Sequence, residues 1–174
     1  MRPAAIIVMG VSGSGKSTIG ALLAEALGWP FADADGFHPP ENVAKMASGQ
    51  ALTDEDRWPW LDAIAAHIGA ARVARHPVVV AWSALRRAYR DRLRAGCHDV
   101  LFLHLSGAAE VIAARQAARA GHFMPPSLMA SQFATLEDTA EEPDAITLSV
   151  SASPDAVVAA AVQAIRARDG AARG

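Results

Sequence analysis

Eight consecutive residues, Gly10-Val11-Ser12-Gly13-Ser14-Gly15-Lys16-Ser17, satisfy the pattern G-x-x-x-x-G-K-[ST] at every fixed position. The chemistry of that spacing is phosphate binding. Glycines permit φ > 0 and let backbone N–H groups close around phosphate oxygens, and a helix beginning at the lysine adds unpaired donors and a positive dipole end. Lys16 is expected to reach the β- and γ-phosphates of ATP, and Ser17 to hold Mg²⁺, with Thr18 next to it at the helix start. A Gly/Ser-rich turn can match the same letters by accident. The apolar run Ala4–Met9 before the motif and the helical pattern after it supply the strand–loop–helix context that the mechanism requires.

Phosphate binding alone does not name a reaction, because switches, motors and small-molecule kinases share it. No Asn-Lys-x-Asp segment for reading guanine is present. The third apolar run, Val78-Val79-Val80-Ala81-Trp82-Ser83, does not end in a lone Asp, so a carboxylate supporting the metal must come from elsewhere.

The second short run supplies one in Asp33-Ala34-Asp35-Gly36-Phe37-His38-Pro39. Ligands of parallel sheets sit outside the carboxyl ends of the strands. If the chain stays extended, two carboxylates at i and i+2 face one crevice. Asp33 would then support Mg²⁺ through water, and Asp35 would accept the proton of an acceptor hydroxyl. The pair also reads as turn formers before Gly36. His38 is a weaker candidate for the acceptor side.

Downstream, Asp54, Glu55 and Asp56 form an acidic start to a helix, which the dipole favours without any further role. Arg57 either pairs with those acids or offers a fork to a substrate carboxylate. Trp58 and Trp60 read as core or pocket wall. Ser83 either caps the next helix or touches substrate. Arg86 and Arg90, four apart, form an anion site if their shared face meets the crevice. Arg115 and Arg119 repeat that spacing and could close over a transferring phosphoryl group.

These residues need a scaffold that aims strand ends at one crevice. The 174 residues fit one domain, 1–174, and 52% hydrophobic content is enough for a full core. Five short runs (Ala4–Met9, Phe31–Asp33, Val78–Trp82, Val100–Leu105 and Ala145–Val150) read as strands, and stretches such as Ile6-Ile7-Val8 and Val78-Val79-Val80 show little polar alternation, as strands buried on both faces do. Helical patterns lie between them over Lys16–Leu27, Thr53–Ala74, Ala84–Ala95, Ala108–Ala120, Ser127–Leu136 and Asp155–Arg168. The alternation predicts an α/β fold with a parallel sheet. The stretch 113–142 carries polar signals and is the candidate lid, with Gly121 and Pro125-Pro126 as its hinge. A net charge of −2 argues against nucleic-acid and membrane-surface binding. Cys97 stands alone, which suits a reducing, cytoplasmic setting.

At this point the chain resembles the thermoresistant-type gluconate kinases, a family of small P-loop kinases. The matching segments are Met9–Ser17, Asp33-x-Asp35-x-x-His38-Pro39, Lys45-Met46-Ala47-Ser48-Gly49 and Leu52-x-Asp54-x-Asp56-Arg57-x-Pro59-Trp60-Leu61. They continue with Ser83-Ala84-Leu85-x-x-x-Tyr89-Arg90-Asp91-x-Leu93-Arg94, Gly121-His122-Phe123-Met124 and Ser131-Gln132-Phe133-x-Thr135-Leu136-Glu137. The resemblance implies transfer of the ATP γ-phosphoryl to the 6-hydroxyl of D-gluconate. It also implies a P-loop fold of the shikimate and nucleoside-monophosphate kinase type: five parallel strands, helices on both faces and a lid. It places Asp35 on the acceptor hydroxyl, Arg57 near the acceptor carboxylate, and Arg115, Arg119 and His122 on the lid side. Members of that family often form homodimers.

Three positions depart from the resemblance. Arg86 stands for a common Lys, Trp82 for a small Cys and Gln116 for a Leu. A different pocket lined by Trp82 leaves room for another small carboxylate or polyol, such as shikimate. A nucleotide-dependent binding switch is the alternative of another class, but it has no need of an acceptor-side Asp and Arg set.

Overall fold

The computed structural model describes residues 2–117 and 126–171. Five strands form one parallel sheet: β1 Ala5–Met9, β2 Phe31–Asp33, β3 Val78–Ala81, β4 Val100–Ser106 and β5 Ala145–Ser149, in the spatial order β2-β3-β1-β4-β5. β1 is central, and all five of its residues are fully buried. Its neighbours are in register, with Ile7 opposite Val80 on one side and Phe102 on the other.

The missing polar alternation has a direct cause. Successive side chains point to opposite faces of a sheet, and here both faces are covered. Ile6, Val8, Leu101, Leu103 and Leu105 pack with Ile19 and Leu23 of α1 (Lys16–Leu27) and with Val157, Ala161 and Ile165 of the C-terminal helix. Ala5, Ile7, Met9, Val80 and Phe102 pack on the other face with residues 61, 64 and 68 of one long helix. The edge strands β2 and β5 are only partly covered.

The remaining helices are α2 Pro40–Ala47, α3 Asp54–Ala74, α4 Arg87–Gly96, α5 Ala109–Ala117, α6 Pro126–Thr135 and α7 Pro154–Ala171. α3 opens on a capping box, in which the Thr53 hydroxyl accepts from Asp56 N–H and the Asp56 carboxylate accepts from Thr53 N–H.

Sequence and structure differ in three places. The chain is not extended after β2: a single 3₁₀ turn, Ala34–Phe37, follows at once, because the Asp33 carboxylate accepts from Asp35 N–H at 3.0 Å and caps it. α2 was not foreseen; it is only eight residues long, and Asn42 is its one buried residue. α4 begins at Arg87, three residues later than the helical pattern suggests, because Ala84 turns left-handed at φ 47°. No described helix is long and apolar enough to cross a membrane.

Candidate active site

β1 lies between β3 and β4, so the chain leaves it on opposite sides and a crevice opens at its carboxyl end. The phosphate loop fills that crevice. Gly10, Gly13 and Gly15 have φ of 149°, 82° and 93°. A Cβ on Gly10 would lie 2.8 Å from the Leu105 carbonyl oxygen and from Ser14 Oγ, so the loop can fold against β4 only with glycine there. Gly15 is the N-cap of α1 and aims the first helical N–H groups into the crevice. Val11 is buried in the core and contributes its carbonyl, which accepts from Lys16 Nζ at 3.1 Å.

Ser17 Oγ donates to Asp33 Oδ2 at 3.0 Å. A cavity of about 430 Å³ is lined by Ser12, Gly13, Gly15, Lys16, Ser17, Asp33 and Asp35. The two carboxylates therefore share one crevice, as expected, although the reason differs. The 3₁₀ turn, rather than an extended chain, brings them round. Trp60 holds that turn, donating from Nε1 to the Ala34 carbonyl at 2.7 Å.

A second cavity, about 760 Å³, adjoins the first through Trp82, Ser83 and Gln132, which line both. Its polar wall includes His38, Arg57, Arg86 and Tyr89. His38 stacks on Trp60 at 3.9 Å between ring centroids and lies 3.3 Å from the Asn42 amide. Burial lowers its pKa below the usual imidazole value; the Arg57 charge acts the same way and Asp35 opposes both.

Arg57 and Arg86 are held by Asp54, at 3.6 and 3.4 Å, and flank the Tyr89 ring. Tyr89 donates its hydroxyl hydrogen to Asp54 at 2.7 Å and accepts from Arg57 Nη1 at 3.1 Å. One carboxylate thus orients two guanidinium groups. The pairing of Arg57 with an acid of this cluster was one of its two sequence readings, but sequence reasoning did not single out Tyr89, whose bond to Asp54 joins α4 to α3 across 35 positions.

Arg90 is a correction. It does not share a face with Arg86, which precedes the helix, and it cannot reach a substrate. Its side chain is fully buried, donating from Nε to both oxygens of Glu142 at 3.1 Å and from Nη1 to the Ala84 carbonyl at 2.7 Å. Arg94 joins Glu142 and Asp144 to the same network. Arg90 therefore clamps the strained turn at Ala84, next to Ser83. Ser83 does not cap α4 either. Its carbonyl accepts from Gly10 N–H at 3.3 Å, fixing β3 to the phosphate loop.

Arg115 lies in neither of these cavities. It lines a third, about 310 Å³, with Gly13, Ser14, Thr18, Pro154 and Val157, and donates to the Ala152 carbonyl at 2.9 Å. This is the other flank of the phosphate loop, beside the segment 151–154. Arg119 and His122 fall outside the described residues, as does the Gln116 side chain. Sequence reasoning also passed over Gln132, whose Oε1 accepts from Ser12 N–H at 2.6 Å; its one signal was its place in the segment Ser131-Gln132-Phe133.

A family model described as shikimate kinase matches residues 12–166. The chain is 41% identical over 169 residues to a gluconokinase of Gluconobacter oxydans, covering 97% of this chain and 95% of that one. It is 38% identical over 161 residues to the thermoresistant gluconokinase of Escherichia coli, covering 92% of each. The chain belongs to the gluconokinase family.

A crystal structure of a family member, a gluconokinase from Sinorhizobium meliloti, superposes with a TM-score of 0.84 at 46% identity over 95% of this chain and 94% of that one. Shikimate kinase from Aquifex aeolicus superposes at 0.61 with 15% identity, over 95% of this chain and 98% of that one, and shares the fold alone. The chain is an α/β P-loop kinase, and its family places it among kinases acting on a small-molecule acceptor with a nucleotide donor.

Proposed function

We propose that the protein transfers the γ-phosphoryl group of ATP to the 6-hydroxyl of D-gluconate, giving 6-phospho-D-gluconate and ADP. The observation that carries this reading is the junction of the two cavities. Phosphate-binding amides, Lys16 and the Asp33/Asp35 pair line one side, and a wall with two oriented guanidinium groups lines the other. Gluconate has a carboxylate at one end and the reacting hydroxyl at the other, and so spans such a junction.

In this reading the loop amides of Gly10–Ser17, with Thr18, hold the phosphates, and Lys16 neutralises the charge that develops on transfer. The hard oxygen donors of Ser17 and Asp33, 3.0 Å apart, fit Mg²⁺, and these two residues would hold the cation, which would supply positive charge against the phosphates. Among the described residues no group of three or more His, Cys, Asp or Glu could hold a metal by itself. Asp35 accepts the proton of the 6-hydroxyl as it attacks. Arg57 and Arg86 receive the carboxylate, and His38 and Ser83 contact the acceptor's hydroxyls. Arg115, Arg119 and His122 act from the nucleotide and lid side of the single domain 1–174, the lid being the part of 113–142 that precedes the anchored Glu137. A cytoplasmic homodimer belongs to the same proposal, and light scattering would read its mass.

The test is a coupled assay for 6-phosphogluconate with Mg·ATP and a panel of sugar acids, with Lys16→Ala as control. Gluconate should give the highest kcat/KM. Turnover no greater than that of the control, or a clear preference for another acid, would overturn the assignment.

A further inference from the structure

Gln132 joins the two halves of the site. It reaches from α6 across 120 positions to accept from Ser12 N–H, and it lines both cavities. The Ser12 amide belongs to the loop whose N–H groups take phosphate oxygens. The carboxamide oxygen therefore occupies a position suited to an oxygen of the terminal phosphate. A carboxamide has one accepting and one donating end, and an N–H partner commits the accepting end to the loop.

α6 is anchored just beyond its end, since Glu137 N–H donates to the Leu85 carbonyl at 2.8 Å and the Glu137 carboxylate accepts from Arg87 N–H at 2.6 Å. A carboxamide displaced from Ser12 therefore stays in the wall shared by the two cavities. There it faces the space that also contains Ser83 and Trp82.

We propose that Gln132 is a positioning residue that couples the two substrates. The terminal phosphate of the nucleotide displaces its carboxamide from Ser12, and the freed group then hydrogen-bonds a hydroxyl of the polyol acid next to the reacting oxygen. This inference rests on the phosphoryl-transfer reading above. It makes acceptor affinity depend on the terminal phosphate and, because linkage is reciprocal, makes affinity for the triphosphate depend on the acceptor.

The experiment measures gluconate binding by calorimetry to the full chain with Mg²⁺ and a non-hydrolysable ATP analogue, with Mg·ADP, and without nucleotide. Wild type should bind gluconate about tenfold more tightly with the analogue than with ADP, within the usual range of coupling between sites. Gln132→Met keeps the length of the side chain and should bring that ratio to within about twofold of one. Full coupling in Gln132→Met, or none in wild type, overturns the proposal.

Gln132→Glu gives a readout that needs no acceptor. Its carboxylate still accepts from Ser12 but repels a third phosphate, so analogue binding should weaken by about tenfold more than ADP binding. A residue with only a structural role would weaken both alike, and that result sinks the nucleotide half of the proposal. If wild type binds no gluconate, the acceptor assignment falls together with the acceptor half of this one. The Gln132→Glu comparison then decides the nucleotide half by itself.

Discussion

The phosphate loop and the acceptor wall are built on opposite principles. The loop is eight consecutive residues whose working groups are mostly backbone amides, aimed by glycine φ angles and a helix start. The wall draws its side chains from His38 after the 3₁₀ turn, from α2, α3, α4 and α6 and from the loop between β3 and α4, and contacts across tens of positions orient them. A backbone site tolerates changes of side chain but not of local geometry. A side-chain site depends on each partner that aims it. Phosphate binding should therefore be robust to substitutions in the wall, and acceptor recognition should not.

The largest expected effect lies where the two regions meet. Asp35→Asn keeps the shape of the turn but removes the proton acceptor, and should lower kcat by about 10²–10⁴. Because the loop amides are untouched, ATP-analogue affinity should stay within about twofold of wild type. Comparable losses in both measurements would show that the carboxylate serves nucleotide binding, and the separation of the two regions would fail.

Arg90→Met tests the wall from behind. It strips Glu142 of one of two cationic partners inside the protein and frees the Ala84 turn. Breaking a buried pair in this way costs about 3–5 kcal/mol of stability, less whatever Arg94 still supplies. Urea denaturation should show that loss, and adding Glu142→Leu should recover part of it. A stability unchanged in Arg90→Met would mean that the network does not hold the turn.

Arg57→Lys is milder. Charge survives but the planar fork does not, and the aromatic contact with Tyr89 weakens. KM for gluconate should rise about tenfold with kcat nearly unchanged, the mark of lost uniform binding. A fall in kcat at constant KM would instead place Arg57 on the phosphoryl group.

The same contrast explains what could be read from the sequence. Gly10–Ser17 could be read because spacing is the mechanism, and β1, β3 and β4 because strands covered on both faces leave unbroken apolar runs. Asp33 and Asp35 could be read as a pair, but the 3₁₀ turn that unites them is held by Trp60 from α3, which no local pattern encodes. Arg90 looked like half of an anion site with Arg86 because its partner Glu142 is 52 positions away. Helical periodicity also gave α4 too early a start, because nothing in the letters Ser83-Ala84-Leu85 announces a left-handed alanine. Asp54, Tyr89 and Gln132 matter only through the partners that folding brings to them.

The smallest predicted effect concerns acid. His104 is buried on β4 and hydrogen-bonded to Thr139 Oγ1 at 3.0 Å, close to the Arg90 network. Burial lowers its pKa below the usual imidazole value, and the Arg90 charge adds to that, while Asp138 and Glu142 oppose it. The unfolded chain therefore binds this proton more readily than the folded one. Its stabilising contribution is complete above about pH 6.5 and is lost as pH falls through the window down to the folded-state pKa. The slope cannot exceed about 1.4 kcal/mol per pH unit for one group. Urea midpoints at pH 7.5, 6.5 and 5.5 should fall more steeply in wild type than in His104→Gln, which has no proton to gain. Parallel slopes would show that His104 does not titrate across unfolding in this window. A lower apparent affinity for the ATP analogue at pH 5.5, with stability unchanged, would place the acid-sensitive group at the phosphate loop and reverse the contrast between the two regions.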